Sequence, residues 1–280
     1  MNYVYIVLIV IAVIILFYLL SIMPRLSKQE ERSKFSKVYY AHRGLHDNKG
    51  EAPENSMEAF RKAVKCGYGI ELDVRLTKDM VPVVFHDDSL ERMCNRKEKV
   101  SELTYEELKG ISLAESSETI PRLSEVLKMV NGRTPLIVEY KADWMDISVC
   151  PIVDKLLREY KGLYCIESFN PMVLMWYRRY HNEVFRGQLS SAFLKSGEKK
   201  GFLYFLLQNL LFNGMTKPDF VAYDHRYANN LSRIICRKLF RNTAVAWTIQ
   251  SQKDMDEAKT KYDMFIFDSF RPKKMQLSKK

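Results

Sequence analysis

Eight short apolar runs, separated for the most part by stretches of helical periodicity, leave few architectures open to this 280-residue chain. The runs cover 38–41, 69–74, 136–140, 164–167, 185–189, 219–223, 244–248 and 264–267. Strands covered on both faces read as near-continuous apolar runs, and their alternation with helices is the pattern of a parallel sheet. Amphipathic stretches at 57–66, 124–130, 149–160, 172–180, 231–240 and 254–261 supply the helices. Residues 38–272 carry no Gly/Ser-rich or Pro-rich linker, so the expectation is one TIM-type (β/α)8 barrel.

A ninth strand-like run at 82–86 does not fit the barrel. Residues 77–81 are too few for a parallel crossover, which takes a dozen or so. The run is therefore expected to turn back as a hairpin and begin an inserted subdomain over about 77–118. Thr104-Tyr105-Glu106-Glu107 reads as the capped start of a short helix inside it. Asn55 with Glu58 reads as a capping box opening the first barrel helix, and Gly67 suits its end.

Residues 3–23 hold no charge and are almost wholly aliphatic or aromatic, long enough as a helix to cross a bilayer of about 30 Å. No basic start or small-residue cleavage site marks a removable signal peptide. Arg25, Lys28, Arg32, Lys34 and Lys37 make 24–37 a basic juxtamembrane linker, diluted by Glu30 and Glu31. The expected arrangement is a single-pass protein of the cell membrane, amino end outside and catalytic domain in the cytoplasm. Five cysteines, odd in number and without metal-type spacing, fit free thiols in a reducing compartment. A net charge of +10, with a basic tail at 273–280, suits an anionic lipid surface. No nucleic-acid motif accompanies that charge, and nucleic acid is not an expected partner.

The candidate chemistry lies at the ends of the apolar runs, where barrel sites form. The segments are Ala41-His42-Arg43-Gly44, Pro53-Glu54-Asn55-Ser56, Glu71-Leu72-Asp73-Val74-Arg75, Val83-Val84-Phe85-His86-Asp87 and Val138-Glu139-Tyr140-Lys141. Glu71 and Asp73 stand two apart on a strand and so share a face. With Glu139 they would repel one another unless a cation or protons intervene, and oxygen-only ligation favours Ca²⁺ or Mg²⁺. The alternative is ion pairing with Arg43, Arg75 and Lys141. His42 and His86 are the candidate acid–base pair, since cleavage of a phosphodiester needs one proton removed and one delivered. Arg43 and Lys141 are candidates to hold phosphoryl oxygens. Trp247 is placed to pack on a glycerol or alkyl group. Glu54 could orient Arg43 or reach the metal, and Asn55 supports the site or merely begins the helix. His46 is a candidate to line the mouth, His181 reads as a solvated helix end, and His225 is a weaker substrate contact.

The ordered set of His-Arg-Gly, Pro-Glu-Asn-Ser, Glu-Leu-Asp-Val, Thr-Lys-Asp and Val-Val-Phe-His-Asp resembles the glycerophosphodiester phosphodiesterase family. Ile120-Pro121-Arg122-Leu123, Val138-Glu139-Tyr140-Lys141, Glu167-Ser168-Phe169 and Ala246-Trp247-Thr248 extend the resemblance from about Val38 to Asp268. It implies a TIM-type barrel with an insertion after the second strand, a metal on Glu71, Asp73 and Glu139, and catalytic roles for His42 and His86. The chain departs from the family pattern at Asp79-Met80, where Asp-Gly is common, at Gln250, and at Asp268-Ser269-Phe270-Arg271-Pro272. The first departure suggests a rearranged turn; together they bear on selectivity more than on catalysis.

The implied activity is metal-dependent hydrolysis of glycerophosphodiesters to glycerol phosphate and an alcohol at a membrane surface. The alternatives are lysophospholipase D action, giving lysophosphatidic acid, and a non-catalytic barrel that binds phospholipid headgroups. Residues 201–212 are unusually apolar yet too short to span a bilayer. They form either a barrel helix packed on the shell or, preceded by Lys195, Lys199 and Lys200, an interfacial helix that dips into lipid.

Overall fold

Apolar side chains at strand period two build the barrel from both sides. The computed structural model describes residues 3–26, 29–197 and 199–273; Lys28 and all but the first residue of the expected basic tail lie outside them. The parallel strands are β1 (Tyr40–His42), β2 (Gly69–Leu76), β4 (Leu136–Tyr140), β5 (Tyr164–Ser168), β6 (Arg186–Ser190), β7 (Phe220–Asp224), β8 (Thr243–Ile249) and β9 (Met264–Phe267); β3 (Pro82–Val84) stands outside that set. Each pairs in parallel with the next, and β1 pairs with both β2 and β9, so the sheet closes as an eight-stranded barrel. Outward residues such as Ile70, Leu72 and Val74 pack under the helices. Inward residues such as Ile137, Cys165, Phe220, Val245 and Ile266 fill the interior.

The expected strands are all present, with ends shifted by one or two residues. β3 pairs antiparallel with β2, as a connection too short for a crossover requires. It opens a subdomain with its own small core of Val83, Phe85, Leu90, Met93, Leu108 and Leu113. Thr104 caps the helix Tyr105–Leu108 reciprocally with Glu107. The first barrel helix, Met57–Lys65, differs from expectation at its start. Ser56 is the cap, accepting from the Ala59 amide, while Asn55 takes φ +58° and turns its side chain into the barrel. In the hairpin turn at Asp79-Met80, Met80 itself adopts the left-handed φ of +62° that glycine would take more easily.

Among the described residues one helix, Tyr3–Ile22, is long and apolar enough to cross a membrane, and most of its length is exposed. Its last turn is not free. Ile22 is buried, the Tyr18 hydroxyl lies 2.9 Å from Ser232 Oγ, and Cys236 Sγ donates to the Ile22 carbonyl at 3.3 Å. Gly214 makes this approach possible, since a Cβ there would lie 2.4 Å from the Leu20 carbonyl oxygen. The stretch expected as a linker also folds onto the barrel. Arg25 pairs with Asp219 at 3.3 Å, Arg32 pairs with Asp263, and the helix Gln29–Phe35 caps the N-terminal end of the strands. Phe35 is buried there against Phe185, with ring centroids 5.0 Å apart.

A left-handed backbone costs an L-residue about 1–2 kcal/mol, partly offset by glycine's greater unfolded-state freedom. Met80→Gly is therefore expected to raise stability by about 0.5–1 kcal/mol, read as a shift in the urea midpoint of the detergent-solubilised chain.

Candidate active site

Strand register brings the acidic residues into one row. Asp73 pairs with Glu139 and Glu139 with Glu167, while Glu71 lies one pleat below on the same inward face. Glu71, Asp73 and Glu139 are buried, and each offers an oxygen within 4.8 Å of the others. Their neighbours are cationic. Lys141 Nζ donates to Glu139 Oε1 at 2.5 Å and lies 3.0 Å from Asp73 Oδ1. The Arg43 amide donates to Glu71 Oε2 at 3.0 Å, and Arg43 Nε lies 3.3 Å from Asp73 Oδ2. Asn55 Nδ2 donates to the same Asp73 oxygen at 2.8 Å.

Burial first, and then the charges of Asp73, Glu139 and Glu167, hold the Glu71 carboxyl well above the ordinary range. Burial raises Glu139 and Glu167 likewise. Burial acts to raise Asp73 too, but Lys141, His86 and Arg43 outweigh it and hold that carboxyl well below its usual value. Glu167 Oε2 is buried without a hydrogen-bond partner, whereas Asp73 Oδ1 has only its ion pair with Lys141. An orphaned buried oxygen beside an all-oxygen donor set fits a hard divalent cation.

The two histidines are each braced by a carboxylate. His42 Nδ1 lies 3.0 Å from Asp268 Oδ2, and its Nε2 is 3.9 Å from Glu71 Oε2. Burial lowers the His42 pKa against the opposing pull of Asp268. His86 Nδ1 lies 2.6 Å from Asp87 Oδ1, and Arg92 Nε donates to the other Asp87 oxygen at 2.6 Å. Arg92 also reaches Glu54 from the insertion, at 2.6 and 2.8 Å, opposite the 2.6 Å bond from Arg43 Nη1. Glu54 thus joins the arginine of β1 to the arginine of the inserted subdomain.

A cavity of about 140 Å³ collects His42, Arg43, Glu71, His86, Glu139, Lys141, Glu167 and Trp247 at the C-terminal mouth, with Phe169 and Leu189 on its apolar side. Asp73 does not line it, and Glu54 and Asn55 bond to Arg43 and Asp73 without lining it either. Sequence reasoning missed four participants: Glu167, Asp268, Asp87 and Arg92. Glu167 carried a usable signal, a carboxylate ending an apolar run as Glu139 does. Asp268 had been read only as part of a variant C-terminal motif. His46 lies 3.1 Å from Asp268 and, with His42, makes a second group whose ligand atoms fall within 4.8 Å. His181 lies 3.2 Å from buried Asp154, away from the mouth, and His225 opens a 3₁₀ turn and does not line the cavity. Gln250 is exposed and outside the cavity lining as well.

Carboxylates in a row, two imidazoles and two cationic side chains meet at one barrel mouth. Residues 42–269 match the model of the glycerophosphoryl diester phosphodiesterase family, and the chain belongs to that family. A glycerophosphodiester phosphodiesterase of Bacillus altitudinis is 45% identical over 106 residues, 35% of this chain and 42% of that protein. YhdW of Bacillus subtilis (strain 168) is 29% identical over 227 residues, 76% of this chain and 86% of that protein. Among solved structures, an Oleispira antarctica phosphodiesterase superposes with a TM-score of 0.68 at 22% identity, covering 85% of this chain and 94% of its own.

Arg92, then Arg43, overcome the burial penalty and hold Glu54 down to about 2 from an ordinary 4.5. Glu54 therefore stabilises the fold fully above pH ~4.5 and loses that contribution as pH falls from there towards the folded value. Glu54→Gln is expected to cost about 2–3 kcal/mol at pH 7. In urea unfolding the gap to the wild type should be about 1 kcal/mol smaller at pH 4.

Proposed function

We propose that the chain is a membrane-anchored phosphodiesterase that hydrolyses glycerophosphodiesters to glycerol phosphate and an alcohol. The observation that carries this reading is the buried trio Glu71, Asp73 and Glu139, within 4.8 Å of one another, of which Glu71 and Glu139 line the same cavity as His42 and His86. Those three carboxylates would hold Ca²⁺ or Mg²⁺, with Glu167 beside them. Bound there, the cation would polarise a phosphoryl oxygen and offset developing negative charge. The Oleispira antarctica phosphodiesterase of the same fold was solved with its product sn-glycerol-3-phosphate, which supports that product class here.

Arg43 and Lys141 receive the remaining phosphoryl oxygens, the guanidinium as a fork and the ammonium as a point charge. His42 takes the proton of the attacking hydroxyl, either of water or of the substrate glycerol. Its Nδ1 is held by Asp268, its Nε2 looks towards Glu71, and burial favours its neutral, proton-accepting form. His86 donates to the departing alkoxide. Asp87 fixes its Nδ1, which leaves Nε2 for the cavity, and Arg92 fixes Asp87. Trp247 and Phe169, 5.5 Å apart edge to face, give the glycerol or its substituent an apolar wall. The Tyr3–Ile22 helix anchors the domain in the cell membrane with the barrel on the cytoplasmic side.

A second reading, lysophospholipase D action, has its own observation. From Trp247 the aromatic contacts continue through Phe169 to Phe193 at 5.9 Å and on to Tyr204 at 5.5 Å, a path out of the cavity suited to an alkyl chain. Side-by-side turnover of glycerophosphocholine and lysophosphatidylcholine decides between them.

His42→Ala is expected to lower kcat by about 10²–10⁴-fold on every substrate. His86→Ala should lose as much on alkyl leaving groups but far less on a p-nitrophenyl ester, which leaves without protonation. Equal losses on both esters would reverse the assignment of the acid. Glu71→Gln should raise the Ca²⁺ or Mg²⁺ concentration for half-maximal activity by about tenfold or more. Unchanged activity after chelation would remove the metal from the scheme.

A further inference from the structure

The N-terminal helix leaves the barrel on the catalytic side, and its direction can be read from three neighbouring elements. The helix Leu231–Lys238 follows β7 and so starts at the C-terminal mouth and descends. Tyr18 meets Ser232 near its start and Ile22 meets Cys236 one turn lower, so the two helices descend together. The chain reaches the opposite end only afterwards, where Lys217 Nζ donates to the Met23 carbonyl at 3.1 Å and the Arg25 amide donates to the Pro218 carbonyl, just before β7, at 3.0 Å. Followed backwards, Tyr3 to Phe17 therefore project beyond the mouth.

Tyr3 to Phe17, at 1.5 Å rise per residue, extend about 22 Å above the level of Ser232, so a bilayer that holds this helix lies on the mouth side. The same face carries the helix Phe202–Gln208, tied at the mouth by the Leu207 carbonyl to Ser190 Oγ at 2.9 Å and by the Gln208 carbonyl to the Tyr223 hydroxyl at 3.0 Å. Its inner side is buried through Leu207, while Phe202 and Phe205 stand 74% and 42% exposed, stacked together. The segment thus packs on the shell by one side, as one of its two expectations had it, and offers two phenyl rings to the outside by the other. Lys195, Lys199 and Lys200 lie just before it in sequence, and Lys199 and Lys200 are exposed, suited to anionic headgroups.

We infer that the catalytic mouth is pressed against the bilayer, with Phe202 and Phe205 seated in the acyl–headgroup boundary beside the emerging Tyr3–Phe17 helix. The occupant of this apolar face is the lipid surface in which the chain is itself anchored. Substrate then reaches the site sideways from the leaflet, past Tyr204 and Phe193. The inference rests on reading Tyr3–Ile22 as a membrane span.

The test uses the full chain in phosphatidylcholine–phosphatidylglycerol vesicles made with or without brominated acyl chains, which quench nearby tryptophan. Phe202→Trp marks the mouth, and Leu239→Trp, exposed just past the lower end of Leu231–Lys238, marks the far side. After subtraction of the wild-type signal, the Phe202→Trp emission should fall at least about twofold in brominated vesicles and the Leu239→Trp emission should not change. Quenching at position 239, or a blue-shifted but unquenched signal at 202 as a second copy of the chain would give, overturns the inference. Failure of the chain to partition into vesicles overturns it by removing the span. In a second arm, Phe202→Asp with Phe205→Asp should cut turnover of vesicle-borne lysophosphatidylcholine about tenfold while leaving soluble glycerophosphocholine unchanged; equal effects on both count against the inference. A wild type inactive on both substrates would instead defeat the proposed function, with the quenching result still deciding the orientation.

Discussion

Four carboxylates, Glu71, Asp73, Glu139 and Glu167, face one barrel interior, and nearly everything around them answers that crowding. In a medium less polarisable than water their mutual repulsion is not screened away, so positive charge must lie among them. Lys141 and Arg43 supply part of it as covalent members of the chain. The remainder suits a divalent ion. In the proposed function, the charge crowding that would destabilise an ordinary core is what would let this one hold a phosphate between a metal and two cations.

The inserted subdomain belongs to the same electrostatic arrangement. Its small apolar core does little for the barrel's shell, but it positions His86, Asp87 and Arg92 over the mouth. Arg92 then closes on Glu54, which already holds Arg43. Two arginines from separate parts of the chain share one buried carboxylate, so insertion and barrel are held in register by the group that orients the Arg43 guanidinium.

At the opposite end of the barrel the polar contacts are of another kind. Arg25 and Arg32, read from sequence as part of a basic linker, are spent on Asp219 and Asp263. Phe35 closes the interior from below, and Ile22 is as buried as any strand residue. The apolar N-terminal helix is therefore a strut fixed to the shell rather than a tether, and this rigidity fixes the attitude of the domain relative to the helix.

Local pattern decided a great deal. Short, near-continuous apolar runs alternating with helical stretches marked the eight strands, the short 77–81 connection forced a hairpin, and paired acidic and imidazole residues at run ends marked the mouth. These are one-dimensional properties, because strand faces and loop lengths follow from neighbours in the chain. Cap assignment was less secure: Asn55 and Ser56 are both good caps in isolation, and only the pull of Asp73 selects Asn55 for the barrel. The pairing of Asp268 with His42 spans 226 residues, and that of Arg92 with Glu54 spans 38. No periodicity encodes such contacts, since closure of the barrel is what brings β9 beside β1 and the insertion over the mouth. The direction of the N-terminal helix has the same origin. Its composition marks it as apolar and long enough to span, but the close contact at Gly214 and the bonds from Ser232 and Cys236 alone determine which end of the barrel it leaves.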